Sequence, residues 1–251
     1  MKLLCVFVAV FLGSALASRF VRAHAALVYG AAVAVSALYW LSGWVPLPRA
    51  VSDALFFLVQ QCTLATALFA AVMLAGIFSQ SSYFGSRLRP IRAELSVAAS
   101  ILCVGHIVFY ATQFLSRITA PNAVRTQVIA AIAIAMVLLV LLIPLFMTSI
   151  DSFKRMIDAG QWKKIQKMAY PFFVLIFFHL GFMLVPSAWA GSSDAQLRLV
   201  VYGFVLVVYL AGKAIYIKRN NAAAALEKEL AQESAVLNGA DDWSCESLVR
   251  S

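Results

Sequence analysis

Charged residues are scarce in this sequence, at 12% against 63% hydrophobic residues, and the mean hydropathy is +0.89. Soluble domains hold about 25% charged residues, so the composition excludes an ordinary soluble protein and indicates an integral membrane protein. The net charge of +9 does not indicate nucleic-acid binding. The basic residues lie between apolar runs, where membrane proteins keep their cytoplasmic anchors.

Cysteine and histidine are also rare. The four cysteines have no close spacing, and at least three of them lie in apolar runs. We therefore expect no disulfide framework, no zinc site and no C-x-x-C-H haem attachment. The chain has three histidines, and two of them fall inside long apolar runs.

A helix needs about 20 mainly apolar residues to cross a bilayer. Seven runs qualify, at roughly 3–18, 24–44, 54–78, 95–115, 126–148, 169–189 and 197–217. The sequence thus predicts an all-α integral membrane protein, a six-helix haem-binding bundle with one extra N-terminal transmembrane helix. Residues 1–18 form that extra helix or a signal peptide, since Ala15, Ala17 and Ser18 also fit a cleavage site.

Charge counting favours the uncleaved helix. With a cytoplasmic C-terminus, twelve Lys and Arg fall in the inner loops and five outside, as the positive-inside rule requires. Cleavage would leave six spans and move both basic loops outside. Residues 19–219 form the haem domain, and residues 220–251 an acidic cytoplasmic tail, helical to about Asn238 and then disordered.

His106 and His179 lie at matching depths. Each is ten or eleven residues into its run, or roughly 15–17 Å from the cytoplasmic face. Both runs point outward in the preferred topology, and no Asp or Glu falls within a predicted span, as a proton relay would need. We interpret the pair as axial ligands of one haem iron. The alternative is two neutral imidazoles, each hydrogen-bonded to a neighbouring helix.

Other polar residues in the runs have simpler interpretations. Gly105 and Gly181 adjoin the histidines and either admit a flat macrocycle or pack against helices. Gln60, Gln61 and Gln113 are candidates for interhelical hydrogen bonds or a quinone contact. By themselves, these glutamines do not indicate a chemical function.

Two segments resemble the ferric-reductase-like transmembrane domain. Arg92-Ala-Glu-Leu-Ser-Val followed by His106 is similar to its R-x-x-L-G-L…H segment. Thr148-Ser149, Trp162 to Gln166, Tyr170 and His179 are similar to its T-S…W-x-x-L-H…Y…H segment. Within the family, the chain most resembles the haem-binding membrane subunit of the bacterial periplasmic methionine sulfoxide reductase system. The resemblance covers roughly residues 24–217 and implies six core helices, haem b and transmembrane electron transfer.

The sequence departs from the family at Gln166, where a second histidine is usual. The resemblance implies that an inner haem would lie between Arg92 and Gln166. Since an amide is a poor haem ligand, we expect one haem b, held by His106 and His179, and leave the inner position open.

Only 32 residues follow Arg219, too few for the flavin and nicotinamide domain of ferric reductases. We therefore expect electrons from membrane quinol or a separate flavoprotein, with a quinone or a partner's flavin as a further cofactor. They would leave to an extracytoplasmic reductase or acceptor. The expected location is the bacterial cytoplasmic membrane, in contact with lipid. A small-molecule or ion transporter and a haem-free scaffold are the alternatives.

Overall fold

The structure is a computed structural model that describes residues 2–118 and 126–249, with the side chains of residues 2–113 and 127–232. The described residues form helices and turns without a strand, which confirms the all-α prediction. The helices are α1 Lys2–Leu16, α2 Ser18–Ala23, α3 Ala25–Leu41, α4 Arg49–Leu55, α5 Thr63–Ala75, α6 Tyr83–Leu88, α7 Arg92–Ile118, α8 Thr126–Ser149, α9 Asp151–Lys154, α10 Ala159–Lys167, α11 Ala169–Trp189 and α12 Ser193–Val249.

Four helical segments of the described chain are long and apolar enough to cross a membrane: Tyr83–Gln113, Gln127–Ser149, Ala159–Trp189 and Ser193–Gln232. A fifth crossing is possible if Arg49–Gln60 and Thr63–Ala75, bent by 46°, form one span. The helices α1 and α3 are shorter, at 15 and 17 residues. The protein is therefore a multi-pass membrane protein by helix length and composition.

Residues Met1–Tyr209 form one compact unit, and α5 runs through its core. Ten of the 13 residues of α5 are buried, and five of these are alanine. Small side chains let neighbouring helices approach closely, which is how membrane helices gain packing energy. Aromatic residues complete the core, with Phe69 against Phe172 at 5.2 Å and Phe173 against Tyr209 at 4.9 Å between ring centroids.

The outer faces of this unit are apolar. Val140 of α8, Phe178 of α11 and Val200 of α12 are each more than half exposed. A soluble protein rarely exposes so many large apolar side chains. Contact with membrane lipid explains them.

The run at 54–78 is not one continuous helix. A π-helical turn over Phe56–Gln60 follows α4, and Cys62 adopts a left-handed backbone with φ of 55° before α5 begins. Mid-helix π turns often occur at functional sites, and a left-handed residue ends the helical hydrogen-bond ladder. Because the run is apolar on both sides of the break, its hydrophobicity does not reveal the break.

Two helices are longer than their runs. Glu94, predicted to lie outside the spans, falls inside the segment Tyr83–Gln113.

The second unit, Leu210–Ser251, consists of the remainder of α12 where it is described, and this helix continues past Asn238 and Gly239 to Val249. One glycine costs a helix only about 1 kcal/mol, which is too little to stop it. Arg125 and the loop near Pro121 lie outside the described residues.

Candidate functional site

His106 of α7 is anchored to the break in the preceding span. Its Nδ1–H donates to the backbone carbonyl of Gln60 at 2.6 Å. Gln60 is the last residue of the π-helical turn, and carbonyls at a helix end lack an intrahelical donor. The break therefore supplies the acceptor that orients this imidazole.

His179 of α11 is held in the same way by a different helix. Its Nδ1–H donates to the carbonyl of Ala131 in α8 at 2.9 Å. A carbonyl oxygen only accepts, so the proton of each neutral imidazole must be on Nδ1. The lone pair of each ring is consequently on Nε2, the nitrogen that remains available to a ligand.

The two imidazoles lie close enough for a charge on His179 to act electrostatically on His106. Both side chains are partly buried. The matched depth of the two residues stays a prediction from the sequence. A neutral imidazole nitrogen is a donor type that ligates haem iron. Hydrogen bonding of each ring to a neighbouring helix also fits two structural histidines.

The polar groups around the break extend the site toward α3 and α12. Tyr39 donates from its hydroxyl to Oε1 of Gln60 at 2.5 Å, and Arg198 donates to Oε1 of Gln61. Arg198 also forms a salt bridge with Asp194 at 2.8 Å and lies over the Phe57 ring. Gln60 and Gln61 are therefore interhelical hydrogen-bond partners, as predicted.

The two glycines beside the histidines differ. A Cβ added at Gly105 would lie 2.9 Å from Oγ of Ser36, so Gly105 lets α3 approach α7 closely. This is helix packing and not room for a macrocycle. A Cβ added at Gly181 would meet nothing within 4 Å, so the space beside His179 is open.

Gln166 lies in a separate polar cluster. Its amide Nε2 donates to Oγ1 of Thr148 at 3.0 Å, and the indole of Trp162 donates to the Thr148 carbonyl at 3.3 Å. These hydrogen bonds bring together the motif residues Thr148, Trp162 and Gln166 and connect α8 to α10. The amide of Gln166 is therefore already hydrogen-bonded within the protein.

Arg92 has different neighbours. It interacts with Tyr170, Tyr209 and Arg89, and its guanidinium lies beside Gly76 at the end of α5. Within residues 2–113 and 127–232, no group of three or more His, Cys, Asp or Glu side chains could hold a metal ion.

Sequence reasoning did not find the carbonyls of Gln60 and Ala131 as partners of the histidines. Every residue has a carbonyl, so the sequence does not single out these two. The hydroxyl of Tyr39 was missed as well, although a tyrosine inside an apolar run usually has a hydrogen-bond partner.

One comparison with known proteins gives a relative. The chain is 32% identical over 145 residues to an uncharacterised protein of Treponema pallidum (strain Nichols), and the match covers 57% of this chain. The chain spans 40% of the length of that relative. No protein-family model and no solved structure matches the chain.

Proposed function

We propose that this protein is a b-type cytochrome that carries electrons across a bacterial cytoplasmic membrane, and that His106 and His179 hold its haem. The observation that carries the proposal is the pair of neighbouring imidazoles, each fixed through Nδ1 with the Nε2 lone pair available. The resemblance of residues 92–106 and 148–179 to the ferric-reductase-like family supports the same assignment.

Other residues of the protein orient the two histidine nitrogens that would ligate the haem. The carbonyls of Gln60 and Ala131 fix the tautomer and the ring orientation, which is the role of outer hydrogen bonds at metal-bound histidines. Apolar helices around the pair exclude water and lower the local dielectric. When bound, haem supplies reversible one-electron transfer, and the protein tunes its potential through ligation and burial.

The proposed bundle has seven spans. We assign α1 and α3 as membrane crossings in addition to the four long segments and the bent pair. Leu3 and Phe7 of α1 are buried, and Phe7 packs edge-on against Tyr202 at 5.9 Å. This packing supports an uncleaved first helix within the bundle.

The orientation and partners follow from charge and from the resemblance. We place the basic loops at 80–94 and 149–168 and the C-terminus in the cytoplasm, because these loops hold most of the basic residues near span ends. Electrons would come from membrane quinol or a flavoprotein and pass to an extracytoplasmic reductase or acceptor.

A transporter is the second candidate, and the break at Gln60–Cys62 favours it. Transporters build their binding sites at interrupted helices, and Tyr39, Gln60, Gln61 and Arg198 supply polar groups at this one. Such folds typically interrupt a pair of related helices. A single bent pair occurs among the described helices.

An absorption spectrum of the detergent-purified protein, with matched histidine variants, tests the proposal. His106→Ala and His179→Ala should each remove most of the bound haem, because each deletes an axial ligand. The control is His24→Ala. His24 is exposed and its ring interacts with Phe20, so its removal should leave the haem content unchanged.

Two results would contradict the assignment. Purified protein without haem, after expression with a haem precursor, would favour the transporter or the scaffold. An unchanged bis-histidine spectrum in both His106→Ala and His179→Ala would show that other groups hold the iron. Membrane insertion and monodisperse elution of each variant distinguish ligand loss from misfolding.

A further inference from the structure

Two partly buried arginines lie at the start of α7, far from the histidine pair. Arg89 belongs to a short 3-10 turn over Arg89–Ile91, and Arg92 is the first residue of α7. The Nε atom of each guanidinium is buried and has no hydrogen-bond partner within the described part of the chain. Arginine stays protonated in proteins, so both groups are charged.

Among the described side chains, no carboxylate forms a salt bridge with Arg89 or Arg92. The salt bridge of this part of the chain joins Arg198 to Asp194. Glu94 is nearest in sequence, but its buried Oε2 has no hydrogen-bond partner in the same described set. The groups that act on Arg92 are Arg89, which repels it, and the phenols of Tyr170 and Tyr209. Burying like charges without a counter-ion is costly, and an anion would complete the site.

The anion is not a substituent of a cofactor at the histidines. Arg92 precedes His106 by 14 residues along one helix, which separates them by about 21 Å. Arg89 also keeps one fixed contact, since its Nη2 donates to the Phe78 carbonyl at 2.6 Å. Its other donors remain available to a ligand.

The pair is reachable from the side of the bundle. Arg89 and Arg92 are themselves only partly buried, and Tyr170, which acts on Arg92, is 43% exposed. In a membrane, these surfaces face lipid near the end of a span. Phospholipid phosphates lie at that level, and guanidinium groups bind phosphate through paired hydrogen bonds.

We propose that Arg89 and Arg92 bind the phosphate group of a membrane phospholipid that reaches them beside Tyr170. The ligand chemistry is a phosphate diester, which phosphatidylglycerol and phosphatidylcholine share. This assignment does not depend on the haem.

Native mass spectrometry of the full chain, delipidated in maltoside and titrated with either lipid, tests the site. Arg92→Gln and Arg89→Gln should weaken retention of both lipids by about tenfold or more, because each removes charge-assisted hydrogen bonds. Arg92→Lys keeps the charge and should lose less. The control is Arg87→Gln, since Arg87 instead lies over the Tyr83 ring at 4.9 Å.

Three results would overturn the proposal. Equal lipid retention in Arg92→Gln and Arg87→Gln would remove the arginines from lipid binding. Inorganic phosphate that binds the lipid-free protein and displaces the lipid would assign the site to a soluble oxyanion. A haem-mass adduct that Arg92→Gln abolishes would assign it to a second haem. Should Arg92→Gln elute as an aggregate, Arg92→Lys and Arg89→Gln give the comparison.

Discussion

The hydrogen bonds that orient His106 and His179 go to backbone carbonyls. A carbonyl cannot change its protonation state and only accepts, so it fixes the tautomer of each neutral ring. A carboxylate in the same place would titrate and would raise the basicity of the ring. At the proposed site, the ligand geometry therefore depends on helix positions and not on local charge.

Gly105 and Ser36 provide a residue-scale prediction about the helix that carries His106. Gly105→Ala places its Cβ 2.9 Å from Ser36 Oγ, so we expect a loss of about 1–3 kcal/mol of stability from overpacking. Gly181→Ala is the matched control, because its Cβ has no neighbour within 4 Å. It should be neutral or slightly stabilising. Thermal unfolding followed by circular dichroism in detergent measures both.

Ser36→Ala adds a second arm to this test. The Ser36 hydroxyl is buried without a hydrogen-bond partner in the described structure, so its removal costs little. It relieves the closer of two contacts and leaves the Ser36 Cβ 3.0 Å from the new methyl group. The double variant should therefore regain part of the stability lost in Gly105→Ala. Additive losses in the double variant would show that the two residues do not compete for space.

The histidine pair is a residue-scale prediction from the sequence, and in the structure a charge on His179 acts on His106. Depth along a helix follows from counting residues at 1.5 Å each. The acceptor carbonyls do not follow from any count, because they depend on which helices adjoin. Gln166 is a further example: its substitution for histidine is visible in the sequence, but its bond to Thr148 is not.

At the scale of elements, the break between α4 and α5 is the feature that connects most of the polar groups. It exposes the Gln60 carbonyl to His106 and places Gln61 against Arg198. Hydrophobicity predicts where a span lies, but a π turn and one left-handed residue cost too little to leave a signature in composition. For that reason the hydrophobic run at 54–78 does not predict the break.

Arg198 and Asp194 give a prediction about this break. Arg198→Met should destabilise the protein by about 1–3 kcal/mol, because it leaves the Gln61 amide oxygen without its partner inside the bundle. Asp194→Asn should change stability by less than about 1 kcal/mol, since the Asp194 side chain is 70% exposed and the pair is a surface salt bridge. Chemical denaturation in mixed micelles compares them. Equal losses would make the salt bridge the main interaction of Arg198.

At the scale of the whole molecule, the orientation of the bundle can be tested by labelling. A single cysteine at position 160, in a background without native cysteines, should react with an impermeant thiol reagent only after lysis. A cysteine at position 191 should react in intact cells, because Gly191 lies in the exposed turn between α11 and α12. Both expectations rest on the charge bias of the loops. The reverse pattern would invert the topology and restore the signal-peptide interpretation of residues 1–18.

Haem stoichiometry tests the whole arrangement, and we predict one haem per chain in a pyridine-haemochrome assay. The histidine pair offers two available Nε2 atoms, which is enough for one iron. At the other level, Gln166 bonds to Thr148, and Arg92 is a cation among tyrosines, so neither is a good ligand for iron. A value of two would require Arg92, Gln166 or another group to ligate a second iron. A haem content that fell to one in Arg92→Gln would then identify the inner position.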